Sequence, residues 1–539
     1  MQKQLLLGDE AIAQAALDAG MSGMYAYPGT PSTEIMEFVQ ASSQAAADKV
    51  HREWSSNEKT AMEAALGMSY AGKRAMVAMK HVGLNVAADA FINSAVTGVN
   101  GGLVVVAADD PSMHSSQNEQ DSRFYGKFAL VPVFEPRNQQ EAYDMLFDAF
   151  DLSEKYRLPV LFRITTRLAH SRAPVQRRQA KAQNSIHLPS DPRQFVLLPA
   201  IARKQYRALT ALFAKLADDP LLAGYNRLSG GRGKGTGIIT CGIAFNYLME
   251  NIGDRKDDYH ILSVAAYPLN KTLVSELVDK CDRILVLEEG YPFIEEQLRG
   301  LLDRDVSVLG RMDGTVPRDG ELNPSIVAAA LGFDATRGKD VPPVVRQRPP
   351  SFCKGCGHAD VYSALAEVMN EFGPGRVFSD IGCYTLGALP PYSMVNSCVD
   401  MGASVTMAVG ASDAGLWPAV AVIGDSTFTH SGMTGLLDAV IKDSPVTLII
   451  SDNSTTGMTG GQKSQATDRL ESICLGLGVN RDHLRVIVPL RKNHEENKAV
   501  LRQELKHHGL SVILARRECI QTASKSRKAE AAEKSKKED

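Results

Sequence analysis

The chain has 539 residues, more than one hydrophobic core supports, so about three or four domains are expected. Its 44% hydrophobic content fits a soluble globular protein, and a net charge of −3 with no concentrated basic face before the last residues argues against nucleic acid as a partner. No apolar run approaches the ~20 residues needed to cross a bilayer, and the N-terminus lacks the features of a signal peptide. Eight cysteines without a compact pairing framework indicate a reducing compartment, so a cytoplasmic location away from membranes is expected.

In chain order, residues 5–10 (LLLGDE) are expected to open a helix over 11–19 with Asp9 as its cap. A short strand at 24–27 runs into Pro28-Gly29-Thr30-Pro31-Ser32, a rigid turn before a helix that Ser32 or Thr33 can cap, with Glu34 nearby. A turn feeding a helix N-terminus at a strand's carboxyl end is a natural anion site; the same residues also make a plain strand-to-helix loop. Residues 53–59 (EWSSNEK) precede a helix over 61–71, and on the residues alone Glu58 and its rival Glu53 read as surface carboxylates or caps.

The chain then alternates: strand 75–79, helix 83–96, strand 102–108, residues 132–134, helix 139–155 and strand 160–165. This is a doubly wound α/β unit. The polar stretch 114–128 reads as a mobile loop over a site. His114, Asn118, Asp121 and Arg123 are its candidates for holding a charged substrate, beside the plainer reading of a solvated loop.

Residues 173–235 change character, with basic and amide residues at 174–181, a helical segment at 197–222 and a Gly-rich run at 224–235. The run is not a Walker loop, because Lys234 is followed by Gly and a strand comes after it; it reads as a flexible connection. Strands 237–240, 260–264 and 283–288, with helices 243–252 and 270–281, form a further α/β unit. Cys241 and Cys281 lack ligand spacing and are expected in or near the core. The proline-rich residues 333–351 read as a linker.

The last domain opens on Phe352-Cys353-Lys354-Gly355-Cys356-Gly357-His358, a Cys-x-x-Cys loop ahead of a helix. Alone it is half a zinc site, a redox pair or a cofactor-contacting turn, and no second Cys-x-x-Cys or His pair accompanies it. Cys383 follows a short strand, and Cys519 follows the final strand at 511–515. Both are strand-end positions able to converge on the loop, and four thiolates suit a [4Fe–4S] cluster. The alternative is that Cys356 and Cys383 only pack near a cofactor. Cys398 precedes the loop Asp400-Met401-Gly402-Ala403-Ser404, and Cys474 falls in an apolar helix.

Two apolar runs, 419–423 and 446–450, read as neighbouring buried parallel strands joined by a helix at 431–442. They end in Gly424-Asp425-Ser426 and Asp452-Asn453-Ser454, at the sheet edge where open parallel sheets bind ligands. A carboxylate beside an amide oxygen there suits Mg²⁺ shared with phosphate oxygens.

This pair resembles the diphosphate-binding motif of thiamine diphosphate enzymes, Gly-Asp-Gly and then Asn, with Ser426 in place of the third glycine. The wording GDST…DNSTT, with YPGTPSTE, EWSSNEK and FCKGCGH, is closer to the large subunit of indolepyruvate:ferredoxin oxidoreductases, and the resemblance covers residues 1–520. It implies an α/β protein of three doubly wound parallel-sheet domains of the thiamine diphosphate-binding and transketolase C-terminal-like type. These are a pyrimidine-binding domain at 1–172, a helical or flexible connection at 173–235, a transketolase-like domain at 236–332, the linker 333–351 and a diphosphate-binding domain at 352–520. The charged residues 521–539 are expected to be disordered.

The resemblance also implies roles. Glu58 is the catalytic carboxylate against the aminopyrimidine N1′, the acid–base group that promotes loss of the thiazolium C2 proton. Pro28, Gly29, Thr30, Gly357, His358, Met401, Gly402, Gly424, Asp425 and Ser426 lie against the cofactor, with Ser379, Asp380 and His430 as weaker neighbours. Asp425, Asn453 and the Thr455 carbonyl hold Mg²⁺, and Cys353, Cys356, Cys383 and Cys519 hold one [4Fe–4S] cluster. The implied activity is oxidative decarboxylation of an aryl-2-oxoacid, of indolepyruvate or phenylpyruvate type, to the acyl-coenzyme A and CO₂. The electrons pass to ferredoxin or another carrier, and a second, smaller subunit completes a hetero-oligomer. A non-oxidative decarboxylase and a non-catalytic scaffold paralogue are the alternatives. The four cysteines argue against the first; Glu58, Asp425 and Asn453 argue against the second. The chain departs from the family in lacking, after Cys519, the ferredoxin-like domain with its runs of closely spaced cysteines.

Overall fold

Contacts along the chain divide it into two units, Met1–Asp340 and Val341–Asp539. The computed structural model describes residues 3–191, 194–232, 234–301, 306–334, 341–346, 350–398 and 400–525. Among these, no helix is long and apolar enough to cross a membrane.

Among the described residues the first unit holds a seven-stranded sheet, a five-stranded sheet and one two-stranded pair. Seven strands pair in the order Ala266–Tyr267, Val133–Phe134, Val160–Thr165, Leu103–Asp109, Ala75–Lys80, Gly23–Ala26 and His51–Trp54. All neighbours are parallel except the edge pair of Ala266–Tyr267 with Val133–Phe134. Parallel strands bring Ala26, Trp54, Lys80 and Asp109 to one edge, so the loops that follow them open on the same side. The second sheet runs Ser307–Leu309, Arg283–Leu287, Thr236–Cys241, His260–Val264 and Arg227–Ser229, with only the last pair antiparallel. Cys241 and Cys281 are buried, as expected.

Several sequence expectations change in this unit. Residues 5–7 do not begin a helix: Lys3–Leu7 is a strand antiparallel to Arg172–Gln176, and the helix is Gly8–Asp18. Three leucines before a glycine fit either reading, and the partner strand far along the chain decides. Asp9 therefore lies inside the first turn, completely buried, and does not cap it. The basic segment after 174 is pinned, with Arg177 on Asp18 and Arg178 on Asp144 and Asp148. The Gly-rich run contributes the edge strand Arg227–Ser229.

The polar stretch 114–128 is not all loop. Arg123–Ala129 is a helix, and Asp121 and Arg123 are buried together. Arg123 pairs with Asp121 and, at 3.0 Å, with Glu288; Arg163 pairs with Asp109 at 2.6 Å and with Glu135. These two arginines and four carboxylates pair with one another across the seven- and five-stranded sheets, so Asp121 and Arg123 are spent in this network and not held out to a substrate. His114 faces Glu321 at 3.2 Å, and Asn118 contacts His81 at 3.3 Å.

In the second unit six parallel strands run Ser397–Cys398, Val377–Ser379, Ala419–Gly424, Val446–Asp452, Ser511–Arg516 and Leu484–Ile487. Ala421 and Ile423 pack into one buried cluster and Val420 and Val422 into another. Burial on both faces is why the central strands read as unbroken apolar runs. Cys474, in its apolar helix, is core. Gly424 stands opposite Ser451, so the polar clusters that follow leave the sheet side by side. Residues 520–525 are helical, which corrects the expectation of disorder at 521–525; the rest of the charged tail, and much of the expected linker, lies outside the described residues.

Candidate active site

The carboxyl edge of the second unit's sheet is built around Asp425, first residue of the turn Asp425–Thr427. Asp425 is 2% exposed. Its Oδ1 accepts the Ser426 N–H at 2.8 Å, and its buried Oδ2 has no hydrogen-bond partner among the described residues. Burial pushes this carboxyl up to about 7. An orphaned, desolvated carboxylate oxygen is costly unless a cation completes it, so the residues fit a bound divalent ion. Asn453 leaves the next strand. Its Oδ1 accepts the Thr455 N–H at 3.2 Å, and its amide nitrogen lies 3.2 Å from His358 Nε2.

The supporting contacts explain the local sequence. A Cβ on Gly424 would lie 2.6 Å from Tyr384 Cε1, which leaves glycine as the residue that fits. The Tyr384 hydroxyl donates to Asp380, which also accepts from Ser404 Oγ at 2.6 Å. Burial pushes Asp380 up to about 6. Ser426, where the general motif has glycine, accepts from Thr456 Oγ1 at 3.0 Å, so its side chain is part of the turn. Gly402 has φ +95° and abuts Ser431, a position closed to other residues. Met401 is half-buried before it. Ser379 donates to the Val422 carbonyl at 3.3 Å, and His430 is buried with Nδ1 2.6 Å from Ser431 Oγ.

The same unit brings Cys353, Cys356, Cys383 and Cys519 onto one cavity of about 130 Å³, shared with His358 and Asn453. Cys356 precedes the helix Gly357–Met369, and its sulfur accepts the His358 and Ala359 N–H groups at that helix's N-terminus. Cys383 opens the turn Cys383–Ala388. Cys519 lies just past the strand Ser511–Arg516. Burial pushes the Cys383 thiol up to about 11, and the neighbouring Cys356, Cys519 and Cys353 thiols add to it. His358 is 6% exposed, and burial pulls its imidazole down to about 4, so it is neutral at pH 7.

In the first unit, Glu58 begins the helix Glu58–Tyr70, which Asn57 caps by accepting the Thr60 N–H at 2.8 Å. Glu58 is buried, whereas Glu53 is exposed in the strand His51–Trp54. The neighbouring helix leaves room for Glu58: a Cβ on Gly83 would stand 2.6 Å from Glu58 Oε1. The Pro28–Thr30 turn is closed internally and uses neither expected cap as a cap. Ser32 Oγ donates to the Gly29 carbonyl at 2.7 Å, and the Gly29 N–H donates to Thr33 Oγ1 at 3.0 Å. Sequence reading missed Lys80. It ends a central strand, donates to the Ser115 carbonyl at 2.6 Å, and would meet a Cβ on Gly29 at 3.3 Å. Burial pulls its ammonium down to about 8, against the opposing charge of Asp110. A lysine closing an apolar strand was the one available signal.

Residues 14–205 match the family described as pyruvate flavodoxin/ferredoxin oxidoreductase, thiamine diP-bdg, and residues 380–514 match the thiamine pyrophosphate enzyme, C-terminal TPP binding domain. Among solved structures, the 2-oxoglutarate:ferredoxin oxidoreductase from Magnetococcus marinus has a similar fold. Its TM-score is 0.50 at 16% identity, over 61% of this chain and 65% of that one. Fold and site together define a subunit of a thiamine diphosphate-dependent 2-oxoacid:ferredoxin oxidoreductase. The indolepyruvate oxidoreductase subunit IorA of Archaeoglobus fulgidus is 39% identical, over 98% of this chain and 88% of its own length. The IorA subunits of Methanothermobacter thermautotrophicus and Pyrococcus abyssi are 37% and 36% identical, each over 96% of this chain and over 87% and 86% of their own lengths. The chain belongs to this family, the IorA subunits of indolepyruvate oxidoreductase.

Proposed function

We propose that this subunit carries the oxidative decarboxylation of an aryl-2-oxoacid of indolepyruvate type to its acyl-coenzyme A. One [4Fe–4S] cluster leads the electrons to ferredoxin or another carrier, and a second subunit completes a cytoplasmic hetero-oligomer. The observation that carries this reading is the single cavity shared by Cys353, Cys356, Cys383, Cys519 and Asn453. It sets the expected cluster ligands against an expected Mg²⁺ ligand. The relatives' name supports indolepyruvate as substrate. The solved 2-oxoglutarate enzyme binds coenzyme A, which supports a thioester product.

Thiamine diphosphate, when bound, supplies the nucleophilic carbon and the electron sink for decarboxylation. This chain's residues hold and tune it. Asp425, Asn453 and the Thr455 carbonyl would hold Mg²⁺, which would neutralise the diphosphate charge, while Gly424, Ser426, Gly357, Met401 and Gly402 shape the surrounding edge. Pro28, Gly29 and Thr30 form the corresponding edge in the first unit. Glu58, buried at the start of its helix, would be the carboxyl group that exchanges a proton with the aminopyrimidine N1′. Neutral His358 adds no positive charge beside the cysteines and orients the Asn453 amide.

The test is anaerobic co-purification with the second subunit, followed by iron, acid-labile sulfide, visible spectrum and product analysis with indolepyruvate and coenzyme A. About four irons per chain, lost in Cys519→Ser, with an acyl-thioester product, is the expected result. No iron with thiamine diphosphate still bound, and aldehyde as product, would replace it with a non-oxidative decarboxylase.

A further inference from the structure

We infer that Asp9, Glu34 and His170 form a second cation site, for a divalent transition-metal ion of the Mn²⁺ or Zn²⁺ class, that braces the turn at 28–34 against the helix Gly8–Asp18. The side chains come from three separate elements. Asp9 lies in the first turn of Gly8–Asp18, Glu34 in the first turn of Thr33–Ala41, and His170 directly after Thr166–Ala169. One ligand atom from each, two carboxylate oxygens and an imidazole nitrogen, lie within 4.8 Å of one another.

An independent observation points to a ligand. Asp9 is completely buried, and neither of its carboxylate oxygens has a hydrogen-bond partner among the described residues; nor has the buried Glu34 Oε2. His170 Nε2 pairs with Glu34 Oε2 across 3.6 Å, longer than a hydrogen bond, and no donor among the described residues reaches either Asp9 oxygen. A fully buried carboxylate with neither oxygen met by a donor is what a cation relieves. The donor set selects its class. Mg²⁺ and Ca²⁺ take oxygen shells, whereas one imidazole with carboxylates suits Zn²⁺, Mn²⁺ or Fe²⁺. His170 is 35% exposed, which gives an ion an entry path and room for water to complete its shell. Because Glu34 belongs to the helix that follows the Pro28–Thr30 turn, a bound ion fixes that turn from below.

The experiment uses the full chain, stripped with chelator and free of thiamine diphosphate, titrated with Mn²⁺ and followed by loss of the free-ion EPR signal. One tight equivalent is expected to weaken at least tenfold in Asp9→Asn and in His170→Ala, and to persist in Asp425→Asn, which separates it from the ion proposed at the cofactor site. Mn²⁺ is expected to raise the Tm of the wild type and of Asp425→Asn but not of His170→Ala, a substitution at a partly exposed position that leaves the fold in place. Equal Mn²⁺ binding by wild type, Asp9→Asn and His170→Ala would overturn the proposal. So would an Asp9→Asn protein more stable than a wild type that Mn²⁺ does not stabilise, since Asp9 would then be a buried protonated acid.

Discussion

The Cys519 N–H donates to the Asn453 carbonyl at 3.2 Å, so one residue's backbone joins the last cysteine to the edge that carries Asp425. The Asn453 side chain meanwhile meets His358, two positions after Cys356. Asn453→Ala removes an oxygen from the proposed Mg²⁺ shell and the partner of His358. Thiamine diphosphate affinity in Mg²⁺, measured by calorimetry, is expected to fall about 10–100-fold, the usual cost of losing such support. The visible spectrum of the iron-loaded protein is expected to change in the same variant.

Gly83→Ala places a methyl group 2.6 Å from Glu58 Oε1. The carboxylate must move, and kcat is expected to fall about 10²–10⁴-fold, as for Glu58→Gln, with thiamine diphosphate still bound. Gly67→Ala is the control. It lies in the helix Glu58–Tyr70 with nothing within 4 Å of the added atom, and is expected to stabilise by about 0.5–1 kcal/mol without changing kcat.

Arg163→Met leaves Asp109 and Glu135 facing each other without their shared cation. Removing one partner of a buried pair typically costs about 3–5 kcal/mol, so a clear drop in the denaturation midpoint is expected. Arg123→Ala is expected to act the same way, through stability and not through KM for the oxoacid, because its guanidinium is enclosed.

Lys80 gives a pH signature. Its ammonium is pulled from 10.5 to about 8 by burial, so between those values the unfolded chain binds more protons than the folded one. Stability from this group therefore rises with pH across that window, and the penalty is complete below it. Lys80→Met is expected to melt higher than wild type at pH 7, with the difference shrinking toward pH 10 in paired calorimetric scans.

The central strands were legible because parallel strands covered on both faces are runs such as GLVVVAA and VAVIG, which few other environments tolerate. The edges were not. Lys3–Leu7, Arg227–Ser229 and Ala266–Tyr267 exist through antiparallel partners distant in the chain, and strands of five, three and two residues carry little or no period. Asp121 and Arg123 looked like solvated loop because a polar stretch does not announce that its charges neutralise one another. At the site, the strand-end motifs and spaced cysteines could be read. Lys80 and the Asp9 cluster could not, since each is a single ordinary residue until the sheet order gathers its neighbours.

The segment around Ala265 belongs to both the five-stranded and the seven-stranded sheet of the first unit. His260–Val264 lies in one, Ala266–Tyr267 closes the other, and Asn226 clamps the crossing by accepting the Ala265 and Ala266 N–H groups at 2.8 and 3.0 Å. A gene fission or domain exchange with its breakpoint near 236 would therefore cut through a hydrogen-bonded sheet instead of a hinge. Residues 236–332 cannot be traded as a cassette: any recombinant that replaces them must import its own edge strand for the seven-stranded sheet.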